Sequence, residues 1–400
     1  MRSLRDRLLV VPFSYLRGFR LAGLWCVSVL GGPAHGFGFF DGTGTNGLGG
    51  GSRWDSAPRT MSGVERSLNG GLRFSLQGGS YQAYRDLLSW NGTPPSVADF
   101  EQAVLDAFAV WTSTDPETGL DSNLRFVPDF GTAVSTTVSG NVRMGAEIDI
   151  MATTDGSTWN PGDSGTRGET FFNAIGVSGN LTLTSGVTGY AGFAISGADI
   201  TFNSNTQAKY TLSSFKGILA HEIGHALGLA DVDVTSGVNG TFVDDNYDGT
   251  NNTTIVATLM NSFALLVNPA NPGASPLQRY TIPNANPGMD TPGVDILMET
   301  NIPNVFFGVE GPYLSPDDVA GRQFLYPVTL APSGLSIAMD GPDVVLSWPE
   351  ATGWRAWRNS GLTGSWSQIA STGTLAGGIR TVRVTRTLSR EFYRLERFTP

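Results

Sequence analysis

The sequence predicts an α+β domain followed by a small all-β domain, and three observations carry this. Up to about residue 327, short alternating or apolar runs that read as strands are interleaved with three amphipathic stretches of helical period. Beyond Pro327 the helical period disappears and only short alternating runs remain, at regular spacing. The charge balance turns over at the same place: residues 328–400 hold eight arginines against five acidic residues, whereas 37–327 hold 12 basic against 29 acidic. A 400-residue chain with 40% hydrophobic and 15% charged residues can bury a sizeable core, and its 52 glycines imply many turns.

The N-terminus is expected to be removed. Arg2, Arg5, Arg7, Arg17 and Arg20 precede the apolar run "LAGLWCVSVLGG" (21–32), and Ala34 and Gly36 occupy the small positions of a cleavage site. This is the plan of a secretory signal over 1–36, the apolar run being short for a membrane span of roughly 20 residues. Trp25 before Cys26 is too bulky for lipid attachment. Cys26 is the one cysteine, so the mature chain is expected to have no disulfide and to be stabilised by packing, alone or together with metals. With the five leader arginines and Asp6 set aside from 25 basic and 35 acidic residues, the mature net charge is −14, which disfavours nucleic acid as a partner. No other segment is suited to spanning a membrane.

Residues 37–69 begin glycine-rich ("GFGFFDGTGTNGLGGGSRW") and read as a flexible leader or an irregular edge segment. The main domain then runs over 70–327. "GLRFSL" (71–76) alternates as a strand. "SVADFEQAVLDAFAVWTST" (96–114) is a helix that Ser96 or Asp99 can cap, with Phe100, Val104, Leu105, Phe108 and Trp111 near one face. "NLRFVPDF" (123–130), "EIDIMAT" (147–153) and "ADITFNS" (198–204) read as strands. The Gly/Ser/Thr-rich stretch 154–197 is expected to hold loops and a hairpin. A second helix spans about Ser213 to Leu227, burying Phe215, Ile218, Leu219, Ile223, Ala226 and Leu227. A third covers "SPDDVAGRQFLYP" (315–327), with Ser315 as cap, Pro316 in the first turn and Pro327 as stop. Residues 328–400 form the predicted β-sandwich.

The second helix carries "HEIGHALGLADVD". Residues four apart share a helix face, so His221 and His225 can reach one ion, and two neutral imidazoles suit zinc. Glu222 lies about 100° round the helix, beside the ion rather than on it, where it can take a proton from water. Gly228 can adopt the left-handed conformation and turn the chain back. The third histidine, His35, is in the leader, so a third ligand must come from elsewhere. Asp231 is the natural choice and Asp233 the reserve.

With these residues the chain resembles the metzincin metallopeptidases, and among them the matrixins. The family pattern HExxHxxGxxH has an Asp-terminated form, which "HEIGHALGLAD" matches. "ATLMNSF" (257–263) resembles the family's methionine turn, with Met260 as the methionine; Met289 and Met298 are the other candidates downstream. "LSPDDVAGRQFLYP" is similar to the closing helix, "AVLDAFAVWTS" with "LRFVP" to the first helix and following strand, and "ADITFNS" to the strand before the active-site helix. The resemblance implies a twisted mixed sheet packed on helices, an active-site cleft, a catalytic zinc held by His221, His225 and Asp231, and hydrolysis of protein or peptide substrates with Glu222 as proton shuttle. There are departures. No cysteine is left for thiolate latency, the structural-zinc histidines are missing, and Val232–Tyr313 is longer than in compact matrixins.

Two further expectations concern binding. "DDNYDGTNN" places Asp244, Asn246 and Asp248 at alternate positions before Gly249, like the first half of a calcium loop, although Ile255 stands where such a loop has its glutamate. The alternative is a solvated Asp/Asn turn. The C-terminal domain resembles small β-modules on exported bacterial proteins, through "VVLSWP" and "FYRLE", and is expected to bind a surface or polymer or to serve as a stabilising appendage. The sequence therefore points to a secreted zinc endopeptidase. The competing expectation is a non-catalytic adhesion protein on a metallopeptidase fold, for which the intact Glu222 would have no use.

Overall fold

The structure is a computed structural model. It describes residues 37–40, 51–115, 120–231 and 311–328, short pieces between 240 and 308, and most of 334–397. In chain order, strands β1 (Gly38–Phe40), β2 (Ser52–Arg53), β3 (Thr60–Met61), β4 (Val64–Glu65) and β5 (Leu72–Leu76) precede helices α1 (Tyr81–Arg85) and α2 (Val97–Thr112). Strands β6 (Phe126–Pro128), β7 (Val138–Ser139), β8 (Val142–Arg143), β9 (Ile148–Thr153), β10 (Gly168–Leu181) and β11 (Tyr190–Asn203) lead to α3 (Leu212–Ala226). Then come β12 (Leu229–Ala230), β13 (Gly240–Val243), β14 (Arg279–Thr281), a 3-10 turn at Asn304–Phe307, and α4 (Pro316–Leu325).

The central sheet is mixed and mostly parallel. Its order is β10-β11-β9-β5-β6, with β2 added alongside β11. The β11–β9, β9–β5 and β5–β6 pairs are parallel, and β10 runs antiparallel along β11 at the sheet edge. The stretch expected to hold loops and a hairpin thus contains most of a ribbon with two 14-residue strands.

Aromatic packing sets α2 and α3 on one face of this sheet. Phe74 of β5 stacks on Phe108 of α2 at 4.2 Å, and Phe100 of α2 meets Phe215 of α3 at 4.9 Å. Phe215 reaches Phe202 of β11 at the same distance. Each buried ring adds both area and an edge or stacking contact. Trp111 Nε1 donates to the Ala220 carbonyl at 2.8 Å, fixing the axial position of α3 against α2. Local signals fix the helix ends. Ser96 caps α2, Thr211 and Ser214 form a capping box on α3, and Ser315 and Asp318 form one on α4. Leu105, assigned to the buried face of α2, is 37% exposed; Ala103 and Ala107 complete that face instead.

The N-terminal boundary needs correction. The described residues of the stretch 37–69, which are 37–40 and 51–69, pack as part of the main domain, closer to the edge-segment reading than to a flexible leader. Phe37, Phe39, Phe40 and Trp54 are buried in the main core, and the Trp54 indole donates to the Ala226 carbonyl at 3.0 Å. β1 lies inside a second sheet of order β12-β1-β13-β14. Glycine composition concealed this, because the aromatic residues between the glycines supply the burial.

The main hydrophobic cluster ends at Val328, and a second one begins with Leu335. This second cluster lies among strands β15 (Ser336–Asp340), β16 (Asp343–Pro349), β17 (Trp354–Asn359), β18 (Ser367–Gln368), β19 (Thr374–Ala376), β20 (Ile379–Thr385) and β21 (Phe392–Arg397). They form two antiparallel sheets, β15-β16-β20-β19 and β18-β17-β21. Val344, Leu346 and Trp348 alternate inward along β16, as the two-residue period requires. Among the described residues no helix is long and apolar enough to cross a membrane.

Candidate metal centre

α3 places His221 and His225 one turn apart, with ring centroids 4.6 Å apart and the ring planes nearly perpendicular. The helix ends at Ala226, with Leu227 as its C-cap. Gly228 follows with φ +103°, outside the range open to most side chains, and a Cβ there would lie 2.0 Å from the Ser52 carbonyl oxygen. The chain reverses through this residue into β12 and delivers Asp231 to the histidines. Asp231 Oδ1 lies 3.2 Å from His221 Nε2 and 3.3 Å from His225 Nε2.

These distances fit an ion. Ligand atoms about 2.0–2.1 Å from a tetrahedral zinc stand about 3.3–3.4 Å apart. All three side chains are buried, and both Nε2 atoms and both Asp231 oxygens lack any hydrogen-bond partner. Four orphaned polar atoms converging in the interior would be costly without a common partner. The remaining imidazole nitrogens are committed elsewhere: His221 Nδ1 is 2.8 Å from the Leu297 carbonyl and His225 Nδ1 2.9 Å from that of Leu229. Each ring is thus held with Nε2 free to ligate. Two nitrogens and one carboxylate oxygen suit zinc, and other borderline divalent ions as well.

Without an ion the site is strongly coupled. Burial pushes the His221 imidazolium down, but the Asp231 carboxylate more than reverses this, raising it to about 9. Burial would raise Asp231, and the two imidazoles instead hold it well below the carboxylate range.

Glu222, next to His221 on the helix, is held from the edge strand β10. Its Oε2 accepts from Thr170 Oγ1 at 2.6 Å, and a Cβ on Gly168 would meet Oε1 at 2.6 Å. Burial raises its pKa, opposed by His221, His225 and the Thr170 hydroxyl. Side chains alternate along β10, so Thr170 and Phe172 face the site while Glu169, Phe171 and Asn173 line a cavity of about 1190 Å³ on the other face. That cavity is separate from the histidines.

Among the described residues, Met298 packs against the histidine helix at Gly224. A Cβ on Gly224 would lie 2.3 Å from its sulfur and 2.7 Å from Trp111 Cζ2, so residue 224 must be small. Buried Asp318 holds this turn, accepting from the Leu297 and Met298 amides at 2.9 and 3.2 Å and from Ser315. Met260, to which the family resemblance assigned this place, lies outside the described residues, as do Asp233 and the calcium candidates Asp244, Asn246 and Asp248. The structure thus unites His221, Glu222, His225 and Asp231, and adds Thr170, Met298 and Asp318. No family model, curated protein or solved structure gives a match to the chain.

Proposed function

We propose that the protein is a zinc-dependent endopeptidase of metzincin type, acting outside the cell. The observation that carries this is the convergence of His221 Nε2, His225 Nε2 and Asp231 Oδ1 within 4.8 Å of one another, Oδ1 lying 3.2 and 3.3 Å from the two nitrogens, with all three atoms buried and without a hydrogen-bond partner. The mixed sheet with α2 and α3 on one face agrees with the architecture that the resemblance implies. The secretory pattern of residues 1–36 supports the location.

His221, His225 and Asp231 would hold the ion, which when bound acidifies water and polarises a carbonyl. Glu222 then serves as general base and afterwards as general acid, returning the proton to the leaving amine. Its burial favours this work, because a carboxylate whose acidity is weakened takes a proton more readily near neutral pH. Thr170 fixes the orientation of that carboxylate from β10. β10 is a sheet edge, and an extended peptide is the ligand such an edge can accept as an added strand.

A binding protein on the same fold would need the three ligands but not a buried carboxylate beside them, which burial alone disfavours. The test is metal analysis of the isolated protein together with cleavage of a peptide library by the parent and by Glu222→Ala. Stoichiometric zinc in both, with cleavage by the parent alone, is expected. Cleavage by Glu222→Ala at the parental rate sinks the mechanism. A parent without divalent metal favours the binding protein.

A further inference from the structure

We infer that strand β1 is part of the metal-binding apparatus: Gly38–Phe40 holds the Gly228–Asp231 arm, and with it the third ligand, against His225. The inference rests on the metal-centre reading above and extends it to a segment the sequence marked as a leader.

Asp231 is the one ligand that α3 does not carry. It follows a left-handed glycine and a two-residue strand, an arm too short to hold itself in place. Its ladder partner is β1. Gly38 pairs with Ala230 and Phe39 with Leu229, and the Phe40 amide donates to the Gly228 carbonyl at 3.0 Å. The arm is therefore pinned at each residue between the helix end and the ligand. Leu229 has a second task, because its carbonyl fixes His225 Nδ1. One strand thus controls the backbone that orients the second ligand and delivers the third.

β1 is itself anchored on three sides. Phe37 and Phe39 pack on Phe324 of α4, with centroids 5.7 and 4.4 Å away. Phe40 turns the other way. It meets Phe172 of β10 edge-on at 5.1 Å, and the His225 ring at 6.3 Å. On the far side of β1, β13 continues the ladder. Phe39 and Phe40 are both buried, yet only Phe40 touches a ligand, and that contrast gives the test.

Three variants of the full chain, Phe40→Ala, Phe40→Leu and Phe39→Ala, are compared with the parent. Zinc affinity is measured by competition with a chromogenic chelator, thermal stability on the metal-free proteins, and amide hydrogen exchange over 228–231. Groups that orient ligands typically change metal affinity about 10–100-fold. Phe40→Ala should weaken zinc about tenfold and speed exchange at Leu229–Asp231, and Phe40→Leu should recover most of both. Phe39→Ala should lower thermal stability at least as much while changing zinc affinity less. Zinc affinity that simply tracks thermal stability across the three variants overturns the inference, as does parental affinity in Phe40→Ala. A parent that binds no divalent ion refutes the metal-centre reading itself, and this inference with it.

Discussion

Replacing Gly228 by alanine tests the turn on which the centre depends. The backbone there has φ +103°, which costs an L-residue roughly 1–3 kcal/mol. The added methyl would sit 2.0 Å from the Ser52 carbonyl oxygen and 3.4 Å from Leu325 Cδ1. The Ser52 oxygen belongs to main chain and cannot rotate away. Ser52 is fully buried in β2, which is paired to Phe193 of β11. Relief therefore requires moving either β2 or the Gly228 arm, and overpacking of this kind costs about 1–3 kcal/mol. The combined loss of about 2–6 kcal/mol is a large part of a typical domain stability of about 5–15 kcal/mol. It should lower the melting temperature by about 5–20 °C. The arm is the softer of the two, so zinc affinity should fall as well. Urea unfolding followed by circular dichroism, with and without zinc, reads both effects. Parental stability and parental zinc affinity in Gly228→Ala would show that neither the clash nor the strain is real.

Two other outcomes follow from the geometry. Thr170→Val removes the hydroxyl that holds Glu222 Oε2; a hydrogen bond to a charged group is worth about 1.5–3 kcal/mol, so kcat should drop about 10–100-fold with zinc content unchanged, and Thr170→Ser should restore it. An equal loss in Thr170→Ser would count against the hydroxyl. Asp149, buried in β9, has its pKa pushed up to about 7 by burial, against the Ser135 and Ala146 amides that donate to it. The folded state holds this proton more tightly than the unfolded one, so the contribution to stability is complete below about pH 4 and is lost as pH rises through about 7. Asp149→Asn should therefore gain on the parent between pH 4 and 8, by on the order of 4 kcal/mol at most, in urea midpoints. A difference that stays constant with pH would contradict the assignment.

The parts of the centre that were legible in sequence are those encoded locally. His221, Glu222, His225, Gly228 and Asp231 fall within one helix and its exit turn, and Ser96 and Ser315 announce their helices within three residues. What was hidden depends on contacts between distant segments. Met298 packs on the helix at Gly224, a contact that spacing cannot forecast. Thr170 lay in a Gly/Ser/Thr-rich stretch where no period singles it out. Phe40 was hidden by glycines, although three phenylalanines in four residues, "FGFF", are more than a solvated leader needs.

The hydrogen bond from His221 to the Leu297 carbonyl spans 76 residues, and Asp318, which accepts from the Leu297 and Met298 amides, comes later still. A ribosome delivers the histidine helix long before it delivers these supports. An incomplete chain would then carry two loosely oriented histidines and no competent centre, so the proposed cleavage of peptide bonds would be withheld until the closing helix has docked. A fragment ending before Ile296 should accordingly bind zinc far more weakly than the whole chain. Equal binding by that fragment would mean that the centre ripens early, and that the cell must restrain it by other means.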